Sequence, residues 1–308
     1  MVKDDAARPV CGPAKGVQQV SDQAKSQQAG DDILFRAMQE SDIERAVEMT
    51  RALHWPHREE DWALFLQVGQ GIVAQWQGEV IGTALGFPYG DHAATLGLVI
   101  VDNAHQGKGY GRRLMQAMMD QLGERSIILQ ATVEGAPLYE KLGFADYGIL
   151  HQHQGVLPNV PLAQLRQGER IRPLGASEQT PGHLYSSATG TDRHAMMQVL
   201  NAQDRTVVLT HDDVPVGFAN LRRFGRGWSI APVVAPDVDG AKVLILHWLA
   251  QNAGNFTRLD VTEASGLSPW LEGLGLPRVD TVRSMVRGPL PEAQGEAVLF
   301  ALSAQAMG

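Results

Sequence analysis

The sequence predicts an α/β protein that contains the same fold twice. An apolar strand, Leu98 to Val101, runs into a glycine-rich loop, and an amphipathic segment leaves it: Ala104-His105-Gln106-Gly107-Lys108-Gly109-Tyr110-Gly111-Arg112-Arg113-Leu114. The chain then repeats several of its elements at a nearly constant distance. Its 308 residues, 44% hydrophobic and 19% charged, are enough for two ordinary domains with cores of their own.

Residues 1–31 are rich in Gln, Ala, Gly, Asp and Lys and nearly free of large apolar side chains, which predicts a disordered tail. A short strand is expected over Ile33 to Met38, then a helix capped by Ser41 with Ile43, Ala46, Val47 and Met49 on one face. Leu53-His54-Trp55-Pro56-His57 breaks that helix. A second helix from Glu59 to Gln67 and two strands, Ile72 to Trp76 and Val80 to Gly86, lead to the strand that feeds the glycine loop. Beyond it, Leu129 to Phe144 reads as strand, turn, short helix and turn.

The repeat shows in three separated places. Phe35-Arg36-Ala37-Met38-x-x-Ser41-Asp42 returns as Ile171-Arg172-Pro173-Leu174-x-x-Ser177-Glu178. Val80-Ile81-Gly82-Thr83-Ala84 returns as Pro215-Val216-Gly217-Phe218-Ala219, and Pro137-Leu138-Tyr139-Glu140-Lys141-Leu142-Gly143-Phe144 as Pro269-Trp270-Leu271-Glu272-Gly273-Leu274-Gly275-Leu276. The offset stays between 132 and 136, a register that chance rarely holds. The predicted division is a tail (1–31), a first domain (32–155), a linker (156–168) and a second domain (169–308).

Glycines at alternate positions, followed by a helix, make a phosphate cradle. They let backbone amides approach an anion, and the helix adds its unpaired N-terminal donors. Two familiar versions do not fit. A Walker A loop needs Ser or Thr after its lysine, where Gly109 follows Lys108, and a dinucleotide-binding fingerprint needs glycine where Arg112 stands. The spacing that does fit is Gln-x-x-Gly-x-Gly, spelled by Gln106, Gly109 and Gly111. It resembles the acyl-CoA loop of the GNAT superfamily of N-acyltransferases, and the Leu138-Tyr139-x-x-x-Gly143-Phe144 run resembles a second signature of that family.

The resemblance implies two tandem GNAT-like domains, each a mixed, mostly antiparallel sheet flanked by helices, with acetyl-CoA as co-substrate. It places Gln106, Gly107, Lys108, Gly109, Tyr110, Gly111 and Arg112 at the pyrophosphate. It gives the oxyanion a backbone donor from the strand Val99, Ile100, Val101, and makes Tyr139 the acid that protonates the leaving thiolate, a role suited to a phenol with an ordinary pKa near 10. It also implies a glutamate base about four residues before Val101, where the sequence has Gly97. Replacement candidates on the acceptor side are His54 and His57 in the helix-breaking loop, Asp91 and His92 in the turn before the cofactor strand, and Glu134; a water chain is the alternative. A histidine base predicts a rate limb between roughly pH 6 and 7. Trp55 is a candidate for lining the acceptor pocket, with packing as the plain alternative.

The second copy departs from the pattern. Its loop reads Ala235-Pro236-Asp237-Val238-Asp239-Gly240-Ala241, with one glycine and two carboxylates that would repel CoA, and Leu271 stands where the first copy has Tyr139. A non-catalytic half is expected, which either shapes a pocket at the crevice between halves or only covers apolar surface.

The net charge of -8, without a large Lys or Arg cluster, argues against a nucleic-acid partner and favours a cationic one. No apolar run reaches membrane-span length, and Met1 to Asp32 has no apolar core of a secretory leader, so a soluble cytoplasmic protein without membrane partners is expected. The one cysteine, Cys11, lies far from both motifs, which argues against an acyl-cysteine intermediate. His151-x-His153 has no ligand partners nearby in sequence, so no metal is expected and both are read as surface residues. The functional expectation is transfer of an acetyl group to a primary amine on a small metabolite. A protein lysine acetyltransferase and a non-catalytic CoA-binding regulator remain open.

Overall fold

The computed structural model describes residues 33–175, 178, 181–203 and 205–308. The predicted tail, with Cys11, and Ser177 of the repeat lie outside the described residues. The first half runs β1 (Leu34–Ala37), α1 (Ile43–Ala52), α2 (Glu59–Val68), β2 (Gln70–Trp76), β3 (Glu79–Tyr89), β4 (Ala93–Val101), α3 (Tyr110–Leu122), β5 (Ser126–Ala131), α4 (Ala136–Lys141) and β6 (Ala145–Val156). The second repeats it as β7 (Glu169–Pro173), α5 (Gly182–Thr189), α6 (His194–Gln203), β8 (Arg205–His211), β9 (Val214–Phe224), β10 (Gly227–Ala235), α7 (Val238–Gln251), β11 (Phe256–Thr262), α8 (Ser268–Leu274) and β12 (Arg278–Arg287). It then adds β13 (Val298–Ala301). Between β6 and β7 the chain forms no helix or strand.

Among the described residues the strands form one 13-stranded sheet in the order β1-β2-β3-β4-β5-β12-β6-β11-β13-β10-β9-β8-β7. Each half gives the last strand of its repeat, β6 or β12, to the other. β12 lies antiparallel to β5, from Arg283 opposite Ala131 to Arg287 opposite Ile127, and β6 pairs with β11 from Phe256 opposite Val156 to Thr262 opposite Leu150. No single cut between 156 and 168 therefore leaves two complete sheets. Without β13 the order is symmetric about the β12–β6 pair.

Amphipathic helices cover both faces. α3 buries Leu114, Met115, Met118, Met119 and Leu122 against the first half's strands, and α7 covers the equivalent strands of the second. α1, α2, α5 and α6 share one core with β4 and β9, in which Trp62, Phe65 and Leu98 of the first half meet Tyr185, Phe218 and Phe224 of the second. The halves are thus joined by a hydrophobic core as well as a sheet. Ser41 does not cap α1. It sits in a short turn over Glu40–Asp42, and the Asp42 carboxylate accepts the Gln39 amide at 2.8 Å while paired with Arg36 at 2.7 Å. This carboxylate is the stronger acceptor, and the arginine beside it holds its pKa below the ordinary range.

His151 and His153 are buried, not at the surface. β6 is an inner strand of the joined sheet, so its inward side chains are covered; His153 Nδ1 lies 2.9 Å from the Leu276 carbonyl and Nε2 2.9 Å from Ser268 Oγ. Among the described residues no group of His, Cys, Asp and Glu is arranged to hold a metal, and no helix is long and apolar enough to cross a membrane.

Candidate acyl-CoA and acceptor site

β4 and β5 are parallel, but they pair only at their beginnings, Ala93 to Thr95 against Ser126 to Ile128. Beyond Thr95 they diverge, so β4 from Gly97 to Val101, including Val99 and Ile100, has no ladder partner on β5. A bulge helps turn β4 away. Leu98 adopts φ 51, its carbonyl accepts Thr83 Oγ1 at 2.8 Å, and the register with β3 shifts beside it. The result is a wedge that opens toward the glycine loop.

At the mouth of the wedge, Gly107 and Gly109 have φ 77 and 81, a conformation that side chains resist. A Cβ on either would meet nothing within 4 Å, so the approach to the loop is open. Gly109 is the N-cap of α3 and no side chain caps that helix, which leaves the positive end of the helix facing an incoming anion. Lys108 and Arg112 are exposed there, whereas the Tyr110 ring is buried in the core. Gln106 serves the loop's own shape: its amide donates to the Val101 carbonyl at 3.1 Å and to Asn103 Oδ1 at 3.0 Å. These residues fit a pyrophosphate held mainly by backbone amides.

The second half lacks both features. The Asp237 carboxylate caps α7 itself, accepting the Gly240 amide at 2.8 Å, and pairs with Arg166 at 2.7 Å. β10 and β11 also pair briefly, Trp228 with Thr257 and Ser229 with Arg258, and then separate. Here β13 enters the gap, pairing with β10 from Val233 to Ala235 and with β11 at Val261. Of the two carboxylates expected to repel CoA, Asp237 is paired with Arg166 and Asp239 is exposed; the structure adds an internal cap and an inserted strand to them.

Tyr139 lies on α4, whose Leu138 approaches Gly111 at the start of α3. Its ring rests on Gly135 and meets Phe144 edge-on at 6.1 Å, and its hydroxyl makes no hydrogen bond among the described residues. Burial pushes its pKa up to about 12, so the phenol keeps its proton at neutral pH.

On the acceptor side a cavity of about 300 Å³ joins the halves. His54, Trp55 and His57 line it beside Leu98; Gln130 and Thr132 of β5 add polar groups, and the second half contributes Arg226 and Arg258. The first turn of α2, which follows the histidine loop, is held to the second half, with Asp61 accepting the Gly225 amide at 2.9 Å. His57 sits among Trp55, Trp62, Phe65 and Phe224, and its buried Nδ1 has no hydrogen-bond partner among the described residues. Burial, reinforced by the positive charge of Arg258, lowers its pKa to about 4. Asp91 and His92 lie exposed at the closed end of the wedge, and Glu134 is exposed in the loop after β5; none lines this cavity. Tyr139 does not line it either. Sequence reasoning missed Gln130, Thr132, Arg226 and Arg258. Only Arg258 carried a signal: Arg258-x-Asp260 on a strand puts opposite charges on one face.

Two matches to the family described as Acetyltransferase (GNAT) domain, at residues 67–146 and 183–300, together span more than half of the chain. An uncharacterized N-acetyltransferase of Bacillus subtilis (strain 168), YitH, is 28% identical over 263 residues, covering 82% of this chain and 91% of that protein. A proposed acetyltransferase of Pyrococcus horikoshii has a similar fold, with TM-score 0.74 at 20% identity over 90% of this chain and 96% of its own. So does a tandem GNAT protein from the clavulanic acid biosynthesis pathway, with TM-score 0.58 at 14% identity over 84% and 99%. The chain belongs to the GNAT superfamily as a tandem-domain N-acetyltransferase, a family that generally uses acetyl-CoA as co-substrate.

Proposed function

We propose that the first half binds acetyl-CoA along the β4–β5 wedge and transfers its acetyl group to a primary amine of a small metabolite held in the cavity between the halves. The observation that carries this reading is the broken symmetry of the sheet: the second half fills with β13 the gap that the first keeps open. The co-substrate supplies the acetyl group as a thioester. The chain supplies anion-binding amides at Gly107 to Gly111, strand amides between Val99 and Val101 for charge developing on the carbonyl oxygen, and Tyr139 as the proton donor to the departing sulfur. His57 is a neutral imidazole at physiological pH and so is able to accept a proton from the attacking amine. A partly enclosed cavity of about 300 Å³ between the halves supports a small acceptor over a lysine on a protein surface. The test is thiol release by the purified protein with acetyl-CoA against a panel of small amines and lysine peptides. Turnover confined to peptides would overturn the acceptor class, and tight acetyl-CoA binding without turnover on either would make the protein a binding module.

A further inference from the structure

The acceptor cavity is polar in a particular way. Arg226, in the turn between β9 and β10, is exposed and has no carboxylate partner among the described residues; its guanidinium lies over the Phe256 ring at 5.1 Å. Arg258 is buried and gives Nε and Nη2 to Asp260, with the shortest contact at 2.9 Å, while Nη1 meets no acceptor among the described residues. Asp260 is further engaged by the Gln305 amide at 3.3 Å. Asp280 stands in the same wall and has no cationic partner among the described residues. Among the described residues the cavity therefore carries one guanidinium without a carboxylate partner, Arg226, a second held by Asp260, Arg258, and one carboxylate without a cationic partner, Asp280, in a chain whose net charge is -8.

We propose that the acceptor is a zwitterion, a small amine that also bears a carboxylate, with the carboxylate bound by Arg226 and Arg258. This rests on the acetyl-transfer reading above. A guanidinium offers a carboxylate two parallel donors in a fixed plane, and a partly enclosed site strengthens such a bond. Asp260 holds Arg258 in an ion pair, so among the described residues the charges of the wall left without a partner are those of Arg226 and Asp280. With Arg258 and Asp260 balancing each other, Arg226 and Asp280 leave one positive and one negative charge, which a zwitterion matches; a polyamine would leave Arg226 without an anion, and a phosphate dianion would exceed its charge and meet Asp280 with like charge.

The experiment compares L-amino acids and ω-amino acids with their carboxamides and with the decarboxylated amines, in thiol release and in thermal shift without acetyl-CoA. Free carboxylates should exceed their carboxamides in kcat/KM by about 10- to 100-fold, the range of one hydrogen bond to a charged group. Arg226→Gln, at an exposed position that leaves the fold intact, should raise KM for the carboxylates by a similar factor, leave carboxamides unchanged, and remove the thermal shift. Equal use of acids and amides, a preference for polyamines, or an equal effect of Arg226→Gln on both series would overturn the proposal. If no amine is acetylated while amino acids still shift the wild type and not Arg226→Gln, the carboxylate site stands and the transfer reading fails.

Discussion

Ala306 occupies the space that a side chain on residue 97 would need. A Cβ built on Gly97 lies 2.8 Å from both Cα and Cβ of Ala306, because the segment after β13 crosses back over β4. That crossing is fixed by Thr95 Oγ1, which donates to the Ala306 carbonyl at 2.8 Å, and by Arg193, which donates to the Met307 carbonyl at 2.7 Å. A side chain at residue 97, where the resemblance implies a glutamate base, would therefore collide with Ala306.

Gly97→Ala should therefore destabilise the protein by about 1–3 kcal/mol, the cost of overpacking. Gly97→Glu should lower the melting temperature further without raising turnover, since the tail must move before a carboxylate fits. Thermal unfolding and thiol-release assays check both, and a stable, faster Gly97→Glu enzyme would show that the tail is not a barrier.

Acetyl-CoA should bind at one site per chain by calorimetry. Gly109→Val should abolish it, because a β-branched residue is strained at φ 81 and its side chain enters the open approach to the loop. Asp237→Ala removes the α7 cap, at a cost of about 1 kcal/mol. It should still create no second site while β13 lies between β10 and β11, and a second binding event in this variant would mean that the cap alone was the block.

The local elements and the glycine loop were legible in the sequence because they depend on short-range signals: the apolar period of α1 and α3, and glycines whose positive φ the loop requires. The repeat was legible too, since its register survives in Gly82 and Gly217 and in Pro137 and Pro269. Strand exchange was not. Nothing in β6 or β12 distinguishes pairing within a half from pairing across halves, because both present the same alternation to either neighbour. The same blindness put His151 and His153 at the surface, and it hid Arg226 and Arg258, which reach the cavity only after the halves join.

Tyr139→Phe removes one hydroxyl and no packing surface. Acetyl-CoA affinity should be nearly unchanged while turnover falls by roughly 10- to 10⁴-fold, a span that brackets general-acid contributions. A phenol at about 12 stays protonated beyond the range of ordinary assays, so the wild type should show no loss of rate assignable to Tyr139 below about pH 10, and the variant's pH profile should keep the same shape there. Unchanged turnover would leave Tyr139 as a packing residue against Phe144.

His57 links the site to pH in two measurable ways. Its pKa falls from 6.5 in the unfolded chain to about 4 in the fold, so between those values the unfolded state binds more protons and stability rises with pH. The contribution is complete above about pH 6.5 and is lost as pH falls toward 4, amounting to about 3 kcal/mol at most. His57→Phe, which suits a pocket of aromatic rings, should flatten the slope of denaturation free energy between pH 4 and 6.5. For catalysis, the limb expected from the sequence between roughly pH 6 and 7 does not fit His57, whose limb belongs near 4. Amines of graded basicity separate the remaining cases. A limb that moves with the acceptor's own pKa reports loss of the amine's proton before attack, with His57 or water taking the last proton from the adduct; a limb that stays fixed and disappears in His54→Ala assigns the base to the other histidine of the cavity wall.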